Sequence, residues 1–182
     1  MDVIDIPSQV PFDYMHLVLQ GHSKWLLDQF FHSTNKSFFD IRDCTKSIDS
    51  LIDKMKVPHF ITRKFPRIET NAKLKSSEIK IFILYWAVPL LMNYIKNPFW
   101  YILCQYVFSI RILYEPIKNK SNLLVAENLM KSYVKNIDYI FKKTSYTLHA
   151  HLHLARQVYA HGPLHCHSQF VFEVFIFCSF SN

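Results

Sequence analysis

The sequence predicts a mainly α-helical protein, with room for short strands only near the termini. Three observations predict this. Half of the residues are apolar, enough to build a core. Glycine occurs only at Gly21 and Gly162, whereas hairpin-rich all-β folds need glycine where tight turns demand positive φ. Apolar residues recur at helical spacing in several stretches. At 182 residues the chain has the length of about one domain.

The elements follow in order. Residues 1–15, with Pro7 and Pro11, read as an extended lead-in, because a residue before proline avoids the helical region. Gly21 reads as a break. Trp25, Leu26, Leu27, Phe30 and Phe31 then predict a short amphipathic helix. Ile48, Leu51, Ile52 and Met55 share one face of a second helix, which leaves Asp49 and Asp53 off that face and in water. Residues 56–75, with Pro58 and Pro66, read as a loop or linker. Ser76 is placed to cap the next helix, with Glu78 in its first turn. That helix should run to about Lys96 with a kink near Pro89. Asn97-Pro98 reads as a cap followed by proline at the first helical position, opening a helix that ends before Pro116. The clearest periodicity is Leu123, Ala126, Met130, Tyr133, Ile137 and Ile140, closed by Lys142 and Lys143 at the negative end of the helix dipole. The rest is histidine-rich, then apolar and aromatic.

The formal net charge of +7 favours a polyanionic partner, nucleic acid before a membrane surface. The excess is local. Between Lys54 and Lys80 the bases are Lys54, Lys56, Arg63, Lys64, Arg67, Lys73, Lys75 and Lys80, against Glu69 and Glu78. Cys44, Cys104, Cys166 and Cys178 are far apart with no CxxC, so a reducing intracellular compartment fits better than a disulfide framework. The N-terminus carries acids and no apolar core of a secretory signal. Residues 81–95 and 99–114 are apolar runs, but a bilayer span needs about 20 apolar residues. They read as buried core helices, with a re-entrant hairpin as the lesser reading. Phosphate-binding glycine loops, a nucleophile elbow and an HExxH motif are all missing from the sequence.

Few residues invite a chemical role. Glu173 is the only acid after Asp138 and stands inside the apolar run Phe170-Val171-Phe172-Glu173-Val174-Phe175. Pattern alone favours a half-exposed segment with Glu173 in water. The other reading is a buried acid that a cation or metal compensates, since an unpaired buried carboxylate costs several kcal/mol. Asp13 and His16, three apart, share a face if the segment is helical, where the carboxylate can orient the imidazole; the other reading is an Asp turn residue followed by a packed His. His149, His151, His153, His161, His165 and His167 crowd together around Cys166. The first three would share a face of a strand and splay on a helix. Their spacing fits no standard zinc pattern, so packing and surface histidines are the default. Arg63-Lys64-Phe65-Pro66-Arg67 suits phosphate contact with nearby stacking, or simply a solvated loop.

These pieces stand in one order. Asp13-Tyr14-Met15-His16 followed by Gly21 resembles the D-x-M-H segment of CACTA-like DNA transposases and their domesticated relatives. KLKSSEIKIFILYWAVPLL at 73–91 resembles their K-x-x-E helix with its FLLY and P-L, and Arg63-Lys64 upstream fits the same pattern. YTLHAHLHL at 146–154 resembles their N-x-H-x-L-x-H-L segment, with Thr147 and His151 as departures. Gly162-Pro163-Leu164 and Ser168-Gln169-Phe170-Val171-Phe172-Glu173 resemble G-P-L followed by S-x-F-x-F-E. The resemblance covers nearly the whole chain.

It implies a single partial domain over 1–182, the helical insertion and C-terminal part of an RNase H-like, DDE-type enzyme. Its segments would be a motif-bearing lead-in (1–21), helices (22–55), a basic loop (56–75), a helical core (76–144) and a His-rich, apolar end (145–182). The parent would cut and rejoin DNA phosphodiesters with two Mg²⁺ or Mn²⁺ ions held by three acids. The resemblance makes Glu173 the final catalytic and metal-binding acid, Asp13 and His16 the motif before it, and DNA the partner of Arg63, Lys64, Arg67, Lys73 and Lys75. It also implies a nuclear location, no stable membrane insertion, and a partner in the missing N-terminal part or a second copy. Only Asp2 and Asp5 precede Asp13, so the chain is expected to be catalytically incomplete, and residues 174–182 read as a departure of intron or frameshift origin. The alternatives are a non-enzymatic DNA- or protein-interaction remnant and a small membrane-associated hairpin protein.

Overall fold

Helical periodicity becomes helix along most of the chain in the computed structural model, which describes residues 10–32, 41–56, 65–70, 73–142 and 145–169. Among these residues there is no strand. Contacts divide the chain into two compact units, Leu19–Val107 and Met1–Val18 with Phe108–Asn182. The boundaries fall inside two continuous helical segments, Tyr14–Ser23 and Phe99–Tyr114.

In the Leu19–Val107 unit the first helix is Lys24–Phe31, burying Leu26, Leu27, Phe30 and Phe31 as their spacing predicts. Gly21 does not break the chain. It lies within the π-helical Tyr14–Ser23 run that leads directly into this helix. A helical glycine costs about 1 kcal/mol, which the burial of Leu19 and His22 beside it outweighs.

The Thr45–Lys54 helix buries Ile48 and Ile52 against the Ala87–Leu91 helix. Asp49 departs from expectation, being 4% exposed rather than in water. Its Oδ1 accepts from the Ile68 backbone N–H at 2.7 Å and its Oδ2 from that of Glu69 at 3.1 Å. The carboxylate thereby satisfies the open donors of the short 3₁₀ helix Ile68–Thr70. Asp53, one turn on, is exposed as expected and pairs with Arg67 at 2.5 Å.

The helix expected over 76–96 forms in pieces: Ser76–Ile81, a π-helical Phe82–Trp86, and Ala87–Leu91. Its cap position is Lys75 rather than Ser76, and Glu78 Oε2 accepts from the Lys75 N–H at 2.8 Å. Pro89 has no N–H and would collide with the Tyr85 carbonyl in a regular α-helix. The widened turn, in which the Ala87 N–H reaches the Phe82 carbonyl, absorbs that conflict. Helical structure stops at Leu91, short of Lys96. Phe65 lies against Phe82, with ring centroids 4.5 Å apart, and anchors the preceding loop to this helix. His22 stacks on Trp25 and meets Tyr106 edge-on. Buried Ser23 and Tyr106 share a hydrogen bond of 2.8 Å.

The Phe99–Tyr114 helix ends before Pro116, as expected, with Ile102, Leu103, Tyr106, Ile110 and Leu113 buried along one face.

In the other unit, Lys120–Phe141 is the longest helix described. Asn119 caps it by accepting from the Asn122 N–H at 2.9 Å, and Lys142 ends it in the left-handed region. Ala126, Met130, Tyr133 and Ile137 form its buried stripe, and each apolar side chain so buried contributes about 1.5–3 kcal/mol for the larger residues. Ser109 Oγ donates to the Ala126 carbonyl at 2.8 Å, a close approach that small side chains allow. The Leu154–His161 helix packs on the long helix and closes at Gly162, whose φ of 92° is favourable only for glycine.

Candidate functional site

The lead-in is held to its unit by Gln157, which is 1% exposed. Its Oε1 accepts from the Phe12 N–H at 2.7 Å, and its Nε2 donates to the Val10 carbonyl at 3.2 Å. One amide side chain thus pairs with the backbone as a neighbouring strand would. This positions Asp13 at the start of the helical run. Asp13 Oδ2 accepts from the His16 backbone N–H at 2.7 Å, the geometry of an N-cap. The same oxygen lies 2.5 Å from His16 Nδ1. Asp13 Oδ1 accepts from the Gln169 N–H at 2.8 Å. Tyr14 packs on Tyr114, and His165 Nδ1 donates to the Tyr114 carbonyl at 2.7 Å.

Chemically, the aspartate fixes the imidazole through Nδ1–H and leaves Nε2 as the basic nitrogen of the neutral ring. The His16 side chain is 55% exposed, so the ring can meet a solute. Both Asp13 oxygens accept hydrogen bonds, so Asp13 positions the His16 ring and the Gln169 backbone.

The histidines separate by helix phase. His151 is buried, and its Nδ1 donates to the Thr147 carbonyl at 2.6 Å. Burial, partly opposed by that hydrogen bond, lowers its pKa to about 4, so the ring is neutral at pH 7. His149 and His153, one turn apart, do not splay but bring their Nε2 atoms to 3.4 Å. Burial first, then His149 and Arg156, lowers the His153 pKa. His161 and His167 meet edge-on. Among the described residues no group of three or more histidine, cysteine or acidic side chains could hold a metal ion. Cys44, Cys104 and Cys166 are free thiols.

Glu173, Arg63 and Lys64 lie outside the described residues. Arg67 is exposed, and Asp53 offsets its charge. Lys73 and Lys75 are exposed just ahead of the Ser76–Ile81 helix. Sequence reasoning missed these contacts of Gln157 and Gln169, because neither a glutamine amide nor a turn N–H carries a signal of the distant partner it will meet. A separate groove of about 520 Å³, lined by Phe108, Arg111, Ile112, Pro116 and Lys118 among others, contains none of the candidate catalytic, metal-binding or DNA-binding residues.

No family model, curated protein or solved structure matches the chain. No helix among the described residues is long and apolar enough to cross a membrane.

Proposed function

We propose that this chain derives from the C-terminal part of a DDE-type DNA transposase and that its own contribution is to hold DNA rather than to cut it alone. The observation that carries this reading is the double engagement of Asp13, with His16 on one oxygen and Gln169 on the other. Two of the segments on which the resemblance rests, the Asp13–His16 motif and the run leading to Glu173, meet at one carboxylate. In the parent enzyme, Mg²⁺ or Mn²⁺ would supply the activation of water or a 3′-hydroxyl for attack on phosphorus. The described residues do not make such a site by themselves, because among them no group of three or more histidine, cysteine or acidic side chains comes together. Metal ligation in this reading therefore falls to Glu173 with acids from outside these 182 residues.

DNA binding would come from the basic segment, where exposed Lys73 and Lys75 join Arg63 and Lys64. Its test is the anisotropy of a labelled duplex across roughly 50–200 mM salt, where each phosphate contact contributes about 0.9 to the logarithmic salt slope. Glutamine at Arg63, Lys64, Lys73 and Lys75 should weaken binding and flatten that slope. Unchanged affinity and slope would remove this surface from the proposal. No metal is expected on this chain by itself; joined to the upstream acids, it should show Mn²⁺ broadening of the amide resonances around Glu173, and Glu173→Gln should abolish it. Sharp resonances in that joined protein would sink the assignment of Glu173 as a metal-binding acid. The alternative, a non-enzymatic interaction protein, draws support from the exposed Tyr139, Tyr146 and Tyr159. Aromatic side chains open to solvent suit a protein contact.

A further inference from the structure

We propose that His149 and His153 form a two-histidine site for a divalent transition-metal ion of the zinc class, held by the facing Nε2 atoms. Their separation is 3.4 Å. Two zinc–imidazole bonds of about 2.0–2.1 Å at a tetrahedral angle place their nitrogens about 3.3–3.4 Å apart. The same separation makes a poor N–H···N hydrogen bond, since good ones fall near 2.7–3.2 Å. A metal therefore satisfies both lone pairs better than a shared proton does.

The backbone that carries the pair is already ordered. Ser145 caps the Tyr146–Ala150 helix by accepting from the Leu148 N–H at 3.1 Å, and a 3₁₀ turn, His151–His153, continues it. Leu148, Ala150, His151 and Leu154 are all buried and fix the rotation of this segment. His151, pointing inward, is occupied by the Thr147 carbonyl and takes no part. His149 is exposed and His153 half-buried, so an ion reaches them from solvent. The charged group close to His153 is Arg156, which lowers the site's affinity without occupying either nitrogen. No third protein donor joins among the described residues, so water fills the remaining positions and the ion exchanges readily. Imidazole nitrogen selects zinc, copper or nickel over Mg²⁺. The site is thus separate in chemistry from the oxygen-ligated ions of the transposase reading and stands without it.

The experiment is calorimetric titration of the full chain with ZnCl₂ at pH 7.5, paired with NMR spectra of the histidine ring nitrogens. The expected result is one ion per chain, with Nε2 shifts confined to His149 and His153. His149→Gln or His153→Gln should each weaken binding at least about tenfold, because the second nitrogen acts at the high effective concentration of a chelate. His32→Gln, at an exposed position outside both sites, should bind as the unaltered chain does. Lack of binding at millimolar zinc overturns the proposal. Shifts at His161, His167 or His165 in place of the pair overturn it as well. The NMR result on the unaltered chain decides the matter if a variant fails to fold.

Discussion

Asp13 and Gln169, 156 positions apart, are joined by a 2.8 Å hydrogen bond from the Gln169 N–H to Asp13 Oδ1. The bond ties the start of the first helical run to the chain beyond Leu164–His167, within one unit. Asp13→Ala removes the acceptor of this donor and the cap on the His16 N–H, both of them exposed, and should destabilise the unit by about 0.5–2 kcal/mol. Asp13→Asn keeps an acceptor oxygen and should lose less. Hydrogen exchange at the Gln169 amide is the direct readout. Exchange as slow in Asp13→Ala as in the unaltered chain would show that the bond does not order this segment.

Asp49 is buried and accepts from two consecutive backbone N–H groups. Asp49→Ala strands the buried Ile68 N–H and removes the acceptor of the partly exposed Glu69 N–H, and should cost about 1–3 kcal/mol. Asp49→Asn keeps one carbonyl oxygen and should recover part of that. Urea midpoints measure the difference, and an unchanged denaturant slope would assign it to the native state. A shift below about 0.5 kcal/mol in Asp49→Ala would show that water replaces the carboxylate.

His151 makes stability fall with acid. Its folded pKa, about 4, lies below the ordinary 6.5 because burial disfavours the charged ring. Between those values the unfolded chain binds the proton and the folded chain does not, so folding loses free energy as pH drops from about 6.5 towards 4. The loss from this group approaches about 3 kcal/mol at the acid end. His151→Leu removes the proton uptake and should flatten that part of the stability profile. Denaturant curves at several pH values across the window check it, and parallel profiles for the two proteins would contradict it.

The Arg67–Asp53 ion pair offsets one positive charge of the basic segment to which DNA binding is proposed. Both side chains are largely exposed, so water and salt screen the pair and it adds little to stability. Asp53→Asn removes one negative charge and releases the guanidinium. Folding should hardly change, while duplex affinity rises and its salt slope steepens by up to about 0.9. Arg67→Gln should weaken binding less than Lys73→Gln or Lys75→Gln does. The reverse order in the same anisotropy assay would mean that Asp53 yields Arg67 to phosphate at no cost.

Much of the helical layout was legible in advance. The stripe from Ala126 to Ile137 and the run ended before Pro116 depend on local spacing and on proline's missing donor, and both appear where expected. The Asp13–His16 contact was legible for the same reason, since three positions on a helix are neighbours. Asp49 was misread because spacing on its own helix places it off the apolar face, while its partners lie in a loop that no periodicity describes. For the histidines the sequence left strand and helix open, and their grouping needed the helix phase that pairs His149 with His153 and turns His151 inward.

By itself, then, the sequence determined the helical class, most helix positions and the local Asp13–His16 pair. These follow from side-chain periodicity, caps and breakers, which act over a few residues. Only the tertiary structure decided that Asp49 is buried, that Gln157 and Gln169 meet the lead-in, and that π-helical turns carry the chain past Pro89. A buried donor or acceptor must be satisfied by whatever the fold brings within about 3 Å, and that partner can lie anywhere along the chain.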